Sequence, residues 1–232
     1  LFKGLTNYGN PALANALANS PVVVVADPAS CHFQFKLTGT EKFPSSCDIA
    51  TAQLTAASVS YTRQDAPAGS IASVKVGDQA YPSFNATTTP DGRDFDAASK
   101  ARETAFKKAL GSAIRAAGYP AKADATQINK PMVILLLFIL VLYVAVVYGP
   151  IAAMLVEMFP TRIRTTSMSL PYHIGNGWFG GLLPTFAFAM VAARGDIYFG
   201  LWYPIAVSLL TCVIGSLFVR ETKDNNIYAQ DA

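Results

Sequence analysis

Three long runs without a charged residue constrain the fold of this chain more than any other feature. The runs cover residues 131–156, 165–193 and 197–219, and none of them contains Asp, Glu, Lys or Arg. A helix rises about 1.5 Å per residue, so a helix of about 20 residues crosses the roughly 30 Å hydrocarbon core of a bilayer. We therefore predict transmembrane helices at about 131–157, 165–193 and 197–219, with the lipid bilayer as their partner.

The charged residues lie mainly outside these runs and exclude several classes of function. Only 14% of the residues are charged, compared with roughly 25% in soluble domains, and most of them lie in residues 1–130. The net charge of +3 is small and no run of Lys or Arg occurs, so we expect no nucleic-acid partner. The chain has two histidines and shows no Ser/His/Asp, metal-ligand or phosphate-loop spacing, which argues against an enzyme and against a bound cofactor.

Residues 1–130, which end in a linker, show the pattern of a small α+β domain. Strands are predicted by β-branched or alternating apolar segments near 22–25, 33–37, 59–62 and 71–76. Helices are predicted by capping residues and apolar periodicity near 11–18, 48–58 and 97–117. The last helix carries a mainly alanine stripe of Ala98, Ala101, Ala105, Ala109, Leu110, Ala113 and Ile114. Such a small apolar face favours packing on a sheet over binding to lipid headgroups.

Cys31 and Cys47 are predicted to form a disulfide bond. Their separation of 16 in the sequence gives a closed loop that would add about 3 kcal/mol of stability in the chain-entropy model. A metal site that also uses His32 is the alternative, but no CxxC or HxxxH spacing supplies further ligands. Because disulfides persist in oxidising compartments, we expect residues 1–130 to lie outside the cytoplasm.

The basic residues between the runs predict the orientation of the helices. Arg162 and Arg164 lie between the first two runs, and the tail after the third holds Arg220 and Lys223. The connection Arg194-Gly195-Asp196 has one Arg beside an Asp. The positive-inside rule therefore places the first connection and the C-terminus in the cytoplasm. This puts residues 1–130 on the outer side, in agreement with the predicted disulfide.

Proline and glycine interrupt the predicted transmembrane helices. Such residues remove backbone donors or allow close helix approach, which a membrane tolerates where neighbours or water satisfy the freed carbonyls. Dense helix packing and a moving, cavity-lining helix are both consistent with this pattern. The hinge or packing candidates are Gly149, Pro150, Gly177, Gly180, Gly181 and Pro184.

Polar side chains within the predicted spans are the candidates for binding. Polar groups in lipid normally face other helices or water, so His173 and Asn176 would form interhelical hydrogen bonds or contact a substrate. Tyr143 and Tyr148 are open to the same two interpretations. At the end of the first span, Glu157 precedes the arginines of the connection. These charges form either an interfacial ion pair of little energetic weight or a bridge at a cytoplasmic mouth.

The same residues carry a resemblance to a known family. Glu157-x-x-Pro160-x-x-x-Arg164, after a helix with Gly149-Pro150, resembles the junction of helices ten and eleven in sugar-porter-like members of the major facilitator superfamily. The longer string EMFPTRIRTTSMSLPYHIGNGWFGGLLP is similar to the metabolite:proton symporter branch, which includes proline/betaine, dicarboxylate and shikimate porters. Residues 219–223 resemble the exit of the final helix, and residues 1–80 resemble a large extracytoplasmic insertion between helices nine and ten. One departure is Thr165-Thr166, where the branch often has an aromatic residue followed by Thr-Gly.

The resemblance implies a fold class and a function. The fold would be membrane all-α, with the three C-terminal transmembrane helices of a major facilitator fold, plus a small α+β extracytoplasmic inserted domain at 1–130. The function would be secondary active transport of a small polar metabolite or organic ion, by proton symport and alternating access. The driving force would be a proton gradient. The alternative is a membrane-anchored extracytoplasmic binding or assembly protein that does not transport.

The resemblance also assigns expected roles to residues. Glu157, Arg162 and Arg164 would form a cytoplasmic gate. The substrate cavity would receive Tyr143, Tyr148, His173 and Asn176. The chain begins at Leu1 without a signal-peptide pattern, and we expect it to be the C-terminal part of a longer protein. The remaining transmembrane helices, which would hold the proton-coupling carboxylate, would then be its partners, and the bacterial inner membrane its location.

Overall fold

The computed structural model describes residues 1–37, 41–159 and 161–219. Its chain divides into two compact units. The α+β unit consists of residues 1–130 together with 185–201, and the helical unit consists of 131–184 together with the described residues from 202 onward. The segment at 185–201 therefore belongs to the same unit as residues 1–130. We predicted it as the end of the second span, the connection 194–196 and the start of the third span.

The α+β unit opens with two short helices, α1 (Phe2–Gly9) and α2 (Pro11–Asn19). The residue between them caps the second helix, because the Asn10 side-chain oxygen accepts a hydrogen bond of 3.2 Å from the Leu13 amide. Pro11 occupies the first helical position, where its missing N–H costs nothing. The predicted helix at 11–18 is therefore confirmed, whereas α1 was not predicted.

A four-stranded sheet forms the centre of the α+β unit. Its strands are β1 (Val22–Ala26), β2 (Tyr61–Asp65), β3 (Ser73–Val76) and β4 (Gln79–Pro82), arranged in the order β2-β1-β3-β4. β1 and β2 pair in parallel, and α3 (Ser46–Ala56) provides the crossover that parallel pairing requires. β3 pairs antiparallel with both β1 and β4. The sheet therefore has β2 at one edge and β4 at the other.

The hydrophobic core of the α+β unit lies between this sheet and two helices. Val22 and Val24 on β1 lie opposite Val76 and Val74 on β3, and all four are buried. α3 packs on β1 and β3, while α4 (Ala97–Ala116) packs on β3 and β4. Leu54 of α3 is fully buried among these residues. The alternation along β1 thus gives a half-covered sheet, as is usual in α+β folds.

The sequence predictions at 33–37 and on α4 differ from the structure. Residues 33–37 form no strand, because the buried Gln34 side chain donates to Asp48 O (2.9 Å) and Thr51 Oγ1 (2.7 Å) on α3. Side-chain bonds to a helix thus replace the ladder of a strand there. The predicted stripe on α4 is also wrong in part, because Ala98, Ala101, Ala105 and Ala109 are exposed. The buried face of α4 consists of Ser99, Phe106, Leu110, Ala113 and Ile114.

The predicted disulfide between Cys31 and Cys47 is confirmed. The Cα atoms of the two residues lie 5.1 Å apart, within the range that a disulfide spans. Because the two sulfur atoms form a disulfide bond, neither cysteine is a thiolate that could bind a metal. Cys47 belongs to α3, and the bond therefore ties the segment after β1 to the crossover helix.

Three helical segments of the described chain are long and apolar enough to cross a membrane, and the last part of the second, from Thr185, belongs to the α+β unit. α5 covers Lys130–Met158 and α8 covers Trp202–Phe218. The middle span is a broken helix, formed by α6 (Arg164–Ile174), a π-helical turn (Gly175–Gly180) and α7 (Leu183–Arg194). Within the described residues, three spans meet the length and composition of a transmembrane helix, at Lys130–Met158, Arg164–Arg194 and Phe199–Phe218. The predicted exit of the last helix at 220–223 lies outside the described residues.

Candidate functional site: helix breaks and helix ends

The candidate residues on α5 lie on different sides of the helix. Tyr143 and Tyr148 are both exposed, and five residues along an α-helix turn the side-chain direction by roughly 140°. They therefore do not form one cluster on α5. Pro150 lies inside the helix, two turns before its end, and Gly149 precedes it. A proline there removes one backbone hydrogen bond, which makes this a point where α5 can bend.

His173 and Asn176 flank the point where α6 ends. His173 Nδ1 lies 2.7 Å from the carbonyl oxygen of Ser169 and 3.2 Å from its hydroxyl, so the imidazole is bound to its own helix. Asn176 belongs to the π-helical turn that follows, where Gly181 N donates to Asn176 O across five residues (2.9 Å). In a continuous α-helix, residues three apart lie on the same side. Because the helix type changes between His173 and Asn176, that rule does not place their two side chains together.

The glycines of this turn permit the break. A Cβ atom at Gly181 would lie 2.2 Å from Gly177 O, which no side chain tolerates. At Gly177 and Gly180 a Cβ atom would have open space around it within the part of the chain that the structure describes. Pro184 follows in the first turn of α7, where proline is compatible with a helix. Gly181 is therefore the position whose lack of a side chain the geometry requires.

The connection between α5 and α6 is closed by an arginine of the second helix. Arg164 Nε donates to Phe159 O just beyond the end of α5 (3.2 Å). Its Nη2 atom is buried and has no hydrogen-bond partner among the described residues. Glu157 is half-buried and Arg162 is exposed, and Pro160 of the family-like motif lies outside the described residues. Arg164 borders a cleft of about 360 Å³ that is also lined by Leu155, Thr165, Met168, Ser169 and Tyr172.

The connection between α7 and α8 is held by strand β2 of the α+β unit. The Tyr61 hydroxyl and Arg63 Nη2 both donate to Ala192 O, the arginine at 2.9 Å. Arg63 Nη2 also donates to Ala193 O. Both carbonyls belong to the last turn of α7, whose carbonyls have no partner within the helix. Two side chains of β2 therefore cap the C-terminus of a helix from the second predicted span.

Gly195 makes the backbone part of the same contact. Its φ of +77° is the left-handed conformation that ends many helices, and its amide donates to Val191 O (2.7 Å). Its carbonyl accepts a hydrogen bond from the Tyr61 amide at 2.8 Å. A Cβ atom at this position would lie 2.1 Å from Tyr61 O. Only glycine satisfies both the conformation and the close approach.

Further contacts surround this connection on both sides. The Ile197 amide donates to Ser60 Oγ at 3.3 Å, and the Tyr198 hydroxyl donates to Thr6 Oγ1 at 2.7 Å. On α7, the rings of Phe186 and Phe35 lie 4.1 Å apart between centroids. We call residues 185–201 with these partners the docked turn. Within it Ala189, Val191 and Ala192 are buried, so the last turns of α7 pack against protein.

The electrostatics of the docked turn favour the observed contacts. A guanidinium at the C-terminus of a helix lies at the negative end of the helix dipole. Burial raises the pKa of the Tyr61 phenol, while the charge of Arg63 lowers it in part. The phenol therefore remains a protonated donor to Ala192 O at neutral pH.

Sequence reasoning did not find the docked turn. The strand near 59–62 was predicted, but Tyr61 and Arg63 gave no sign of a partner about 130 residues away. One usable signal was Gly195, because a glycine directly after an apolar helix indicates a left-handed end that something else can approach. No group of His, Cys, Asp and Glu residues large enough to hold a metal ion occurs within the described ranges.

Comparison with models of protein families gives a match over the second half of the chain. The family model described as sugar (and other) transporters matches residues 106–232. The matched part includes all three spans of transmembrane length. Neither the curated proteins nor the solved structures include a match to the chain.

Proposed function

The chain belongs to the family of sugar (and other) transporters, and we propose that it is the C-terminal part of a proton-coupled secondary active transporter for a small polar metabolite or organic ion. The family is one of transporters, not of enzymes, and it places the chain within the major facilitator superfamily. The chain is accordingly an integral membrane protein. The observation that carries the proposal is the family match over the three membrane-length helices, the second of which is broken.

Within this proposal α5, the broken helix and α8 are helices ten, eleven and twelve of a twelve-helix transporter. The broken helix supports a cavity-lining role, because non-helical backbone at membrane depth is tolerated where it lines a cavity or packs in protein. Tyr143, Tyr148, His173 and Asn176 are the proposed cavity residues. The Ser169 contacts of His173 hold the imidazole in one orientation and so suit it to selective binding.

The proposed gate lies at the connection between α5 and α6. Arg164 joins the two helix ends through Phe159 O, and its buried second nitrogen leaves a donor for a further partner. Glu157 and Arg162 complete the gate in this proposal. The hinges are Gly149 with Pro150 on α5 and the glycines around Gly181 with Pro184.

The proposed topology places the first connection and the C-terminus in the cytoplasm and the α+β domain outside. The arginine distribution supports this placement. The Cys31–Cys47 disulfide supports an oxidising compartment for residues 1–130. Residues 1–130 and the docked turn belong to one compact unit, which supports assigning them to the same side. We propose the bacterial inner membrane as the location, the metabolite:proton symporter branch as the subgroup, and residues 1–130 as an inserted domain.

The family match favours transport over the alternative of a membrane-anchored binding or assembly protein. An anchor needs apolar helices, but it has no need of a helix broken at a glycine cluster or of an arginine that closes a turn. The remaining helices of the full-length chain are the partners that the proposal requires. The described residues of the three spans contain one carboxylate, Glu157, near an end, so the proton-coupling carboxylate is proposed to lie on those partner helices.

The test uses the full-length protein reconstituted in proteoliposomes. An inward proton gradient is imposed, and uptake is measured for labelled proline, betaine, a dicarboxylate, shikimate and a hexose. We expect accumulation of one class, and its loss when a protonophore collapses the gradient. The chain of residues 1–232 alone should give no uptake. Absence of gradient-driven uptake for all five probes by the full-length protein would overturn the proposal.

Matched variants test the cavity residues. His173→Ala and Asn176→Ala should each lower uptake at least tenfold, because a lost polar contact to a substrate leaves its partner unpaired. Thr211→Ala on α8 is the control, since its hydroxyl bonds within its own helix to Val207 O (2.9 Å). Equal effects of all three variants would assign the loss to general destabilisation.

A further inference from the structure

We infer that Tyr61 and Arg63 are positioning residues for transport, and that the α+β unit is a brace which holds the C-terminal end of α7 and so fixes the direction of that helix. This inference rests on the proposed transport function. No sequence motif of the chain indicates it. It follows from the geometry of the docked turn, where a strand edge and a helix end bind each other at three carbonyl groups.

The end of α7 needs partners from outside the helix. The last four carbonyls of any α-helix lack intrahelical donors. Gly195 N supplies one, to Val191 O. The next two carbonyls, of Ala192 and Ala193, are bound by Tyr61 and Arg63. Ala192 is almost fully buried, so water cannot readily replace these donors. Without β2, the carbonyl groups of Ala192 and Ala193 would lose these hydrogen-bond donors.

The contact fixes orientation as well as position. Side chains of β2 bind the helix end, while the β2 backbone binds the turn through Tyr61 N and Gly195 O. A flexible tether would require one attachment, whereas these contacts bind both the end of α7 and the turn at Gly195. The ring contact between Phe35 and Phe186 lies more than one helical turn further back along α7. Three attachment points along a helix end restrict its tilt as well as its location.

The strand that makes these contacts is itself firmly anchored. β2 pairs in parallel with the buried β1 over its whole length, from Tyr61 to Asp65. α3, which leads into β2, is bonded through Cys47 to the segment after β1. The Asp27 carboxylate also holds the loop after β2 through the Gly69 amide (2.8 Å). The brace therefore connects α7 to a packed core.

A held end changes how α7 can move. When one end of a helix is fixed, the helix can change direction only at a break along its length. The π-helical turn at Gly175–Gly180 is such a break. Bending of the second span in the transport cycle is therefore concentrated at this turn. The α+β unit thereby controls transport without contacting the substrate.

The first measurement tests the brace independently of transport. Hydrogen exchange is followed in the full-length protein for the peptides that contain the Tyr61 and Gly195 amides. Arg63→Ala should speed exchange of both amides about fivefold, because a charge-assisted bond to the helix end is lost. Arg63 is largely exposed, so its removal leaves the core intact. Arg63→Lys retains the charge and one donor nitrogen and should restore most of the protection.

The second measurement tests positioning. Uptake is measured per folded transporter, and Arg63→Ala should change the maximal rate about threefold while KM stays within about twofold. Arg63→Lys should return the rate toward that of the unchanged protein. Arg102→Ala, which removes an exposed arginine of α4, is the control and should alter neither exchange nor uptake. A purely structural role of Arg63 would lower the amount of folded protein and leave the rate per molecule unchanged.

The outcomes separate the two proposals. Unchanged exchange in Arg63→Ala would overturn the brace. Faster exchange with an unchanged maximal rate per transporter would overturn the positioning role. Faster exchange in a protein whose unsubstituted form shows no uptake would support the brace and overturn the proposed transport function.

Discussion

The two connections between the membrane-length helices are closed in opposite ways. Between α5 and α6, Arg164 donates to Phe159 O, so donor and acceptor lie five residues apart. Between α7 and α8, Arg63 donates to Ala192 and Ala193 from 129 and 130 residues away. Both connections use an arginine on the carbonyls at a helix end, where the dipole favours a cation. The local connection needs only its own segment, whereas the remote one needs the whole α+β unit.

This difference predicts which connection a substitution in the α+β unit will loosen. A change anywhere in the α+β unit that shifts β2 should loosen the docked turn. The connection at Phe159–Arg164 should not respond, because its contact is made within the helical unit. The disulfide and Arg164 experiments below therefore measure both connections in the same variant.

The largest effect is expected from Gly195→Ala. A left-handed φ is unfavourable for alanine, and the new Cβ would meet Tyr61 O at 2.1 Å. We expect the free energy of unfolding to fall by about 3 kcal/mol. Thermal unfolding of the purified full-length protein measures it. Gly215→Ala on α8 is the control, since a Cβ there meets open space among the described residues. A Gly195→Ala protein as stable as this control would contradict the close approach at Tyr61.

The next effect is expected from removing the disulfide. Replacing Cys31 and Cys47 by serine together should lower the stability of the α+β unit by about 3 kcal/mol or somewhat less, because an open chain has more unfolded conformations. Hydrogen exchange should rise at Gly195 and stay unchanged in α6. Cys212→Ser removes the free cysteine and serves as control. Equal increases at both connections would show that they are not independent.

A smaller effect is expected from Arg164→Ala. The lost bond to Phe159 O is charge-assisted but only partly buried. We therefore expect the free energy of unfolding to fall by about 1 kcal/mol. Exchange should increase near Phe159 and remain unchanged at Gly195. Arg162→Ala removes the exposed neighbour and should leave the exchange of amides near Phe159 unchanged. Faster exchange of the Gly195 amide in Arg164→Ala would show that the two connections are not independent.

The smallest effect is expected from acid. The amide hydrogen bonds from Gly69, and then Ala29, lower the pKa of Asp27. A lowered pKa in the folded state means that the stabilisation is present above the ordinary aspartate pKa of about 3.9 and is lost as pH falls through the folded value. Exchange of the Gly69 amide should therefore rise below about pH 4. Asp27→Asn should remove this dependence, and an unchanged acid response in that variant would assign it to another carboxylate.

Sequence alone predicted the features that depend on neighbouring residues. Capping residues indicated where α2 and α4 begin, because a cap involves only the next few residues. The caps are Asn10 for α2 and, of the two candidates Asp94 and Asp96, Asp96 for α4, through the Ser99 amide (2.7 Å). The Cys31–Cys47 bond followed from a simple spacing. The three membrane-length helices followed from the absence of charge. The family match confirms the broad class of transporter.

Features that depend on distant partners could not be predicted. Residues 62–65 are exposed and polar at the edge of the sheet, so they lack the alternation that marks a strand, and β2 was placed too early. Phe106 is buried where an alanine stripe was expected, because the packing of α4 decides its face more than the number of apolar residues does. The break at 175–180 depends on the backbone approach at Gly181. The roles of Glu157, His173 and Asn176 remain predictions.

The long sequence separation of the docked turn has a consequence for biosynthesis. A chain is made from its N-terminus, and domains generally fold as they emerge. Strand β2 is complete well before residues 185–201 have been synthesised, and until then its outer edge lacks the partner that Gly195 provides. Unpaired strand edges attract other chains. The interval between the synthesis of Tyr61 and that of Gly195 is therefore a period in which the edge of β2 is open to pairing with other chains.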